Sequence, residues 1–143
     1  MFTPRDKDEQ KWLEETAEYV KGLELPHLAE IGLYDFLVEM GNSDKRALRS
    51  QVTRLIHHLL KFTYQPSKAS VSWRSSVRNA RNEILDIVEF SPSLKRVLLD
   101  YLQDQEIYDR AKENAEDETG LDMPDDNPFT PEEILDRKFF GKV

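Results

Sequence analysis

Apolar side chains return every three or four positions through most of this chain, the spacing of a buried helix stripe rather than the alternation of a strand. The clearest stripe follows Ser43, read as an N-cap: Leu48, Val52, Leu55, Ile56, Leu59, Leu60 and Thr63 share one face and stop before Pro66. A second sets Trp73, Val77, Ala80, Ile84, Ile87 and Val88 in line and ends before Ser91. A third opens at Pro92 with Leu94, Val97, Leu98, Tyr101 and Leu102. It then either continues or breaks over 103–105 before Ile107, Tyr108, Ala111 and Ala115, with Gly120 as its stop. Upstream, Trp12, Leu13, Ala17 and Val20 predict a helix from Pro4 to Lys21 closed by Gly22. Leu28, Ile31, Phe36, Leu37 and Met40 predict another from Pro26 to Met40, closed by Gly41 and Asn42, with Gly32 inside it at a cost of about 1 kcal/mol. Alternation is confined to 62–64 and 69–73, too short to outweigh the helical periods around it.

Prolines mark the starts, because a first-turn proline has no N–H to lose and its φ is already near the helical value. Thr3-Pro4 with Asp6, Ser91-Pro92, and Thr130-Pro131 with Glu133 each read as an N-cap and N1 proline, the first and third with an acidic N3 residue. The stretch LDMPDDNPFTP, 121–131, reads as a tethered linker. A short helix from Pro131 to Phe140 follows, and a helix of two or three turns is not stable alone in water, so Ile134, Leu135 and Phe139 must dock. The expected architecture is all-α: a single-domain bundle of about five helices over residues 1–121, with a linker and a short C-terminal helix, 122–143, docked on the same domain.

Composition narrows the function classes. A chain of 143 residues can bury one core unaided. With no cysteine, thiolate zinc sites, Fe–S clusters, disulfides and thiol catalysis are excluded. The opening MFTPRDKDEQ is charged where a signal peptide needs an apolar stretch, and apolar runs reach only about four residues, so a soluble, cytoplasmic protein with no membrane span is expected.

Four clusters together are familiar: MGNSDKRAL (40–48), HLLKFTYQP (58–66), Ser72-Trp73 with Arg81, and SPSLK (91–95). Tyr108, Ala111, Ala115, Glu118-Thr119-Gly120-Leu121 and Asn127-Pro128-Phe129-Thr130 extend the set. The chain resembles the family called "domain of unknown function 29" from about Trp12 to Leu135. That resemblance implies an all-α bacterial cytoplasmic protein and carries over no activity and no catalytic residue. Family members often carry a Glu-Glu-Ile-Glu run before the glycine matched to Gly41; here the region reads Asp35-Phe36-Leu37-Val38-Glu39, so no role for those acids is transferred.

Arg54, His58, Lys61 and Gln65 overlie one another at i, i+4, i+7 and i+11, a stripe that is either an anion site or a solvated face. On this pattern His58 lies nearer the core edge and His57 in solvent. A metal ion would have to be held by His27, His57 and His58 with nearby carboxylates such as Glu30, Asp35 and Glu39. His27 precedes Glu30 in the reverse of the Glu-x-x-His order of di-iron bundles, and adjacent histidines point about 100° apart on a helix, so no metal ligand and no cofactor is assigned. The serines of SKASVSWRSS sit in no Gly-x-Ser-x-Gly elbow, caps explain Ser70 or Ser72, and no glycine-rich phosphate loop occurs; no catalytic residue is assigned.

Charge is the unusual feature. From Lys45 to Asn82 there are nine lysines and arginines and no acid, which leaves eleven basic against twenty-eight acidic residues elsewhere. A domain of this length has a radius of gyration of about 14–15 Å, and physiological salt screens over about 8 Å. Pairing of these cations with acids on the first, second and fifth helices therefore accounts for the segregation without a ligand. Arg54, His58, Lys61, Arg74, Arg78 and Arg81 form the candidate anion or partner site, and the adjacent Phe139 and Phe140 a candidate interface. The expected function is a non-enzymatic protein-interaction module with an unknown protein partner, a second copy of the chain included. A nucleic-acid or polyanion-binding regulator acting through 45–82 and a small metal-dependent enzyme are the alternatives, with nucleic acid disfavoured by the acidic surplus.

Overall fold

Helix formation in the middle of the chain runs further than its glycine suggests. In the computed structural model, which describes residues 2–23 and 32–142, the helices are α1 (Glu9–Gly22), α2 (Leu33–Tyr64), α3 (Val71–Phe90), α4 (Lys95–Leu102), α5 (Gln105–Thr119) and α6 (Pro131–Leu135). Single 3-10 turns at Pro66–Lys68 and Pro92–Leu94 precede α3 and α4, and no strand occurs among the described residues. The stop expected at Gly41 and Asn42 and the cap expected at Ser43 are overturned, because α2 passes through all three. Gly41 is buried where α1 crosses: a Cβ there would stand 3.1 Å from Gln10 Nε2, so the missing side chain serves a close approach between helices. Gly32, expected inside a helix, is instead the N-cap of α2, with a left-handed φ of 65°. Pro26, His27, Leu28, Glu30 and Ile31 lie outside the described residues. Phe36, expected in the core, is 60% exposed, since the buried side of this stretch is set by Leu37 and Gly41, one helical step away.

Local capping explains the other boundaries. α1 begins at Glu9, not at Pro4: Asp8 is the N-cap and accepts from Lys11 N at 2.9 Å. The same carboxylate accepts from Ser93 N (2.6 Å) and Ser93 Oγ (2.9 Å), while Ser91 Oγ accepts from Gln10 N at 2.8 Å. Ser91 thus ties the start of α1 to the α3–α4 corner instead of capping its own segment. The third stripe breaks at 103–104, where Asp104 caps α5, and Gly120 in the left-handed region ends it. Ser70 caps α3, and Thr130 with Glu133 forms the expected capping box on α6, which stops at Leu135, short of Phe140.

α2 is the spine, packed by α1 near its start and by α3 and α5 along its second half. The main core joins Leu55, Ile56, Leu59 and Leu60 of α2 with Val77 and Ile84 of α3, Leu98 of α4, Tyr108 and Ala111 of α5, and Ile134 of α6. A smaller core under α1 holds Leu13, Ala17 and Leu37. Residues 120–130 form no helix, yet they are a strap and not a loose tether. Met123 and Phe129 are buried, Tyr108 Oη donates to Pro124 O at 2.6 Å, and Lys112 pairs with Asp125 at 2.9 Å. The chain is an all-α single domain, and among the described residues no helix is long and apolar enough to cross a membrane.

Candidate anion-binding groove

α2 presents a second buried stripe that a single-helix reading misses. Thr53, His57 and Lys61, at i, i+4 and i+8, are all buried, facing α5, whose Ala111 and Ala115 let it come close. Lys61 Nζ meets Glu118 Oε2 at 2.5 Å and lies 4.3 Å from the centroid of the Trp73 ring, so its charge is neutralised inside the fold. His57 Nε2 stands 3.2 Å from the same carboxylate oxygen, off hydrogen-bond alignment. His57, expected in solvent, is therefore buried, and His58 is only half-buried, the reverse of the order expected. The two rings stack at 4.6 Å. Burial pushes the His57 imidazole down despite the pull of Glu118, and burial together with the charges of His57, Lys61 and Arg54 pushes His58 down to about 4. Both are neutral at pH 7. Among the described residues no group of three or more His, Cys, Asp or Glu side chains is placed to hold a metal ion.

Beside this stripe, α2 and α5 enclose a groove of about 380 Å³. Its walls carry Arg46, Arg49 and Arg54 of α2 and Arg110 of α5, with His57 and Asn114, and no carboxylate. Arg46 reaches Glu39 at 2.5 Å and Arg49 reaches Glu106 at 3.3 Å, but Arg46 and both glutamates are well exposed and Arg49 is partly so, and such pairs contribute about 0–1 kcal/mol each. Arg54 and Arg110 stand in no ion pair among the described residues.

The six basic residues expected to form one site are divided by the fold. Arg54 lines the groove, His58 sits at its stacked pair, and Lys61 is bound to Glu118. Arg74 lies 4.5 Å from the Phe140 ring centroid. Arg78 is exposed, and Arg81 is 2% exposed, donating from Nε to Ile134 O at 2.8 Å and from Nη2 to Phe139 O at 2.5 Å. Arg81 therefore meets backbone carbonyls where acidic partners had been expected. Phe139 and Phe140 pack on the chain itself, Phe139 against Phe129 and Phe140 against Phe62, each with ring centroids 5.8 Å apart. Arg46, Arg49 and Arg110 had not been singled out. The signal for Arg110 was its place on the polar side of the Ile107, Ala111 and Ala115 stripe, but only the packing of α5 on α2 brings it opposite Arg54.

Fold and groove together define a class: a small all-α protein built on one long helix, with an arginine-walled groove. Within that class the chain belongs to the family described as "Domain of unknown function DUF29", which matches residues 5–140. Neither the curated proteins nor the solved structures contain a significant match.

Proposed function

We propose that this protein is a non-enzymatic interaction module that binds a short acidic segment of a partner protein in the α2–α5 groove. The observation that carries this reading is four arginines and an imidazole around one groove without a carboxylate in its walls, in a chain of net charge −8. Glu39, Glu106 and Glu118 lie close by but are engaged by Arg46, Arg49 and Lys61, so Arg54 and Arg110 are the guanidinium groups open to a ligand seated there. A short peptide is favoured over duplex nucleic acid by the surroundings. Asp109, Glu113 and Asp117 are exposed on α5 beside Arg110, and a long polyanion would be pressed against them. Glu39 and Glu106 occupy Arg46 and Arg49 in the free protein, and such weak surface pairs are readily exchanged for a ligand carboxylate.

Fluorescence anisotropy with a labelled glutamate-rich peptide and with a labelled DNA duplex tests the reading. Saturable peptide binding that weakens with salt, and that falls by about ten-fold in an Arg54→Gln, Arg110→Gln double variant, is expected. Tighter binding of the duplex, with a steep salt slope, would favour the nucleic-acid alternative.

A further inference from the structure

A second cluster of guanidinium groups lies away from the groove, where α3 meets the chain after α6. Arg78, Arg81 and Asn82 of α3 and Arg137 surround a cavity of about 170 Å³ that shares no wall residue with the α2–α5 groove. Arg81 is the unusual member. It is 2% exposed, and its Nε and Nη2 are used by the carbonyls of Ile134 and Phe139, but its Nη1 is buried without a hydrogen-bond partner. Carbonyl partners satisfy N–H groups without cancelling charge, and a buried cation without a counter-charge is costly. The carboxylate whose charge acts on it is Asp136, which makes no ion pair with it and accepts from Lys138 N at 3.0 Å. Among the described residues Arg78, Arg81 and Arg137 have no acidic partner.

From this geometry we infer that the cavity is a binding site for a phosphate-type oxyanion, free or as the phosphate of a small monoester, held between α3 and the C-terminal segment. The cavity is well below the about 300–1,000 Å³ of drug-sized sites, which suits a single tetrahedral group. A phosphate carries about −1.5 to −2 charges at neutral pH, a better match to three guanidinium groups than one carboxylate, and guanidinium forks hydrogen-bond phosphate oxygens in pairs. Because Arg78 belongs to α3 and Arg137 to the segment that Arg81 holds, the ligand bridges the two and tightens that contact.

Isothermal titration of the full chain with inorganic phosphate and with glycerol phosphate, against sodium chloride at matched ionic strength, tests the site. Saturation at about 1 mM or below is expected, with slower amide hydrogen exchange over 136–142. Arg78 and Arg137 are exposed, so Arg78→Gln and Arg137→Gln leave folding intact and should each weaken binding by about ten-fold, whereas Arg54→Gln should not. Tighter binding of glycerol phosphate would assign the oxyanion to a monoester, and tighter binding of inorganic phosphate to the free ion; both support the site. Heats equal to those of chloride, or binding that survives the Arg78→Gln, Arg137→Gln double variant, would overturn it. Neither result bears on the peptide groove.

Discussion

Arg81 shows at the scale of one side chain how the basic middle of the sequence is used. Its hydrogen bonds to Ile134 O and Phe139 O hold the C-terminal segment on α3, and Phe140 lies 5.5 Å below its guanidinium carbon. Burial lowers its pKa to about 10, with Asp136 opposing, which leaves it charged in neutral solution. Arg81→Gln should therefore destabilise the protein by about 2–4 kcal/mol, read from urea unfolding, and expose 136–142 to protease. Arg78→Gln should stay within about 0.5 kcal/mol. That Arg81 flanks the apolar stripe of Val77, Ala80 and Ile84 was legible in the sequence. Its carbonyl partners were not, because nothing in the sequence says which backbone groups a strap will bring back 53 and 58 positions away.

The histidine pair belongs to the same scale. An imidazole whose folded pKa lies below the unfolded value of about 6.5 binds fewer protons in the native state than in the unfolded chain. Stability conferred by neutral His58 is thus present above pH 6.5 and is lost as pH falls toward its folded value of about 4. Glu118 adds a second loss lower down. Burial raises its pKa, but Lys61 and His57 outweigh this and lower it below 4.5, so its contribution fades as pH falls through that lower value. The urea midpoint should drop between pH 7 and pH 5, and His58→Gln should flatten that drop. An unchanged slope would remove His58 from this account.

Among the elements, α2 was the clearest stripe in the sequence and also the one most misjudged. Leu48 to Leu60 was readable because a single apolar face repeats without a gap. The continuation through Gly41 was not, since a glycine that stops a helix and one that admits a neighbouring helix look alike until the neighbour is placed. Gly41→Val should destabilise by about 1–3 kcal/mol through its clash with Gln10, although valine is the better helix former. The error at His57 has the same origin: α2 is covered by α3 on one side and α5 on another, so its buried arc is wider than one stripe. Asp8 joins two elements at once, and Asp8→Ala should cost about 1–3 kcal/mol by releasing both Lys11 N and Ser93.

Over the whole molecule, part of the charge segregation resolves into contacts between helices. Lys45 pairs with Glu14 of α1, and Arg49 and Lys61 pair with Glu106 and Glu118 of α5, which is the neutralisation by acidic flanks that the sequence led us to expect. What that expectation did not contain is the remainder, because counting charges cannot tell which cations end up facing each other. Arg54 of α2 and Arg110 of α5 lie more than fifty positions apart in the chain and share one groove. The most direct measurement is a titration of the arginine side-chain N–H resonances with a short glutamate-rich peptide. Binding in the groove requires saturable shifts at the Nε groups of Arg54 and Arg110, smaller ones at Arg46 and Arg49, and none at Arg81. Shifts absent from Arg54 and Arg110, or spread evenly over all the arginines, would contradict it.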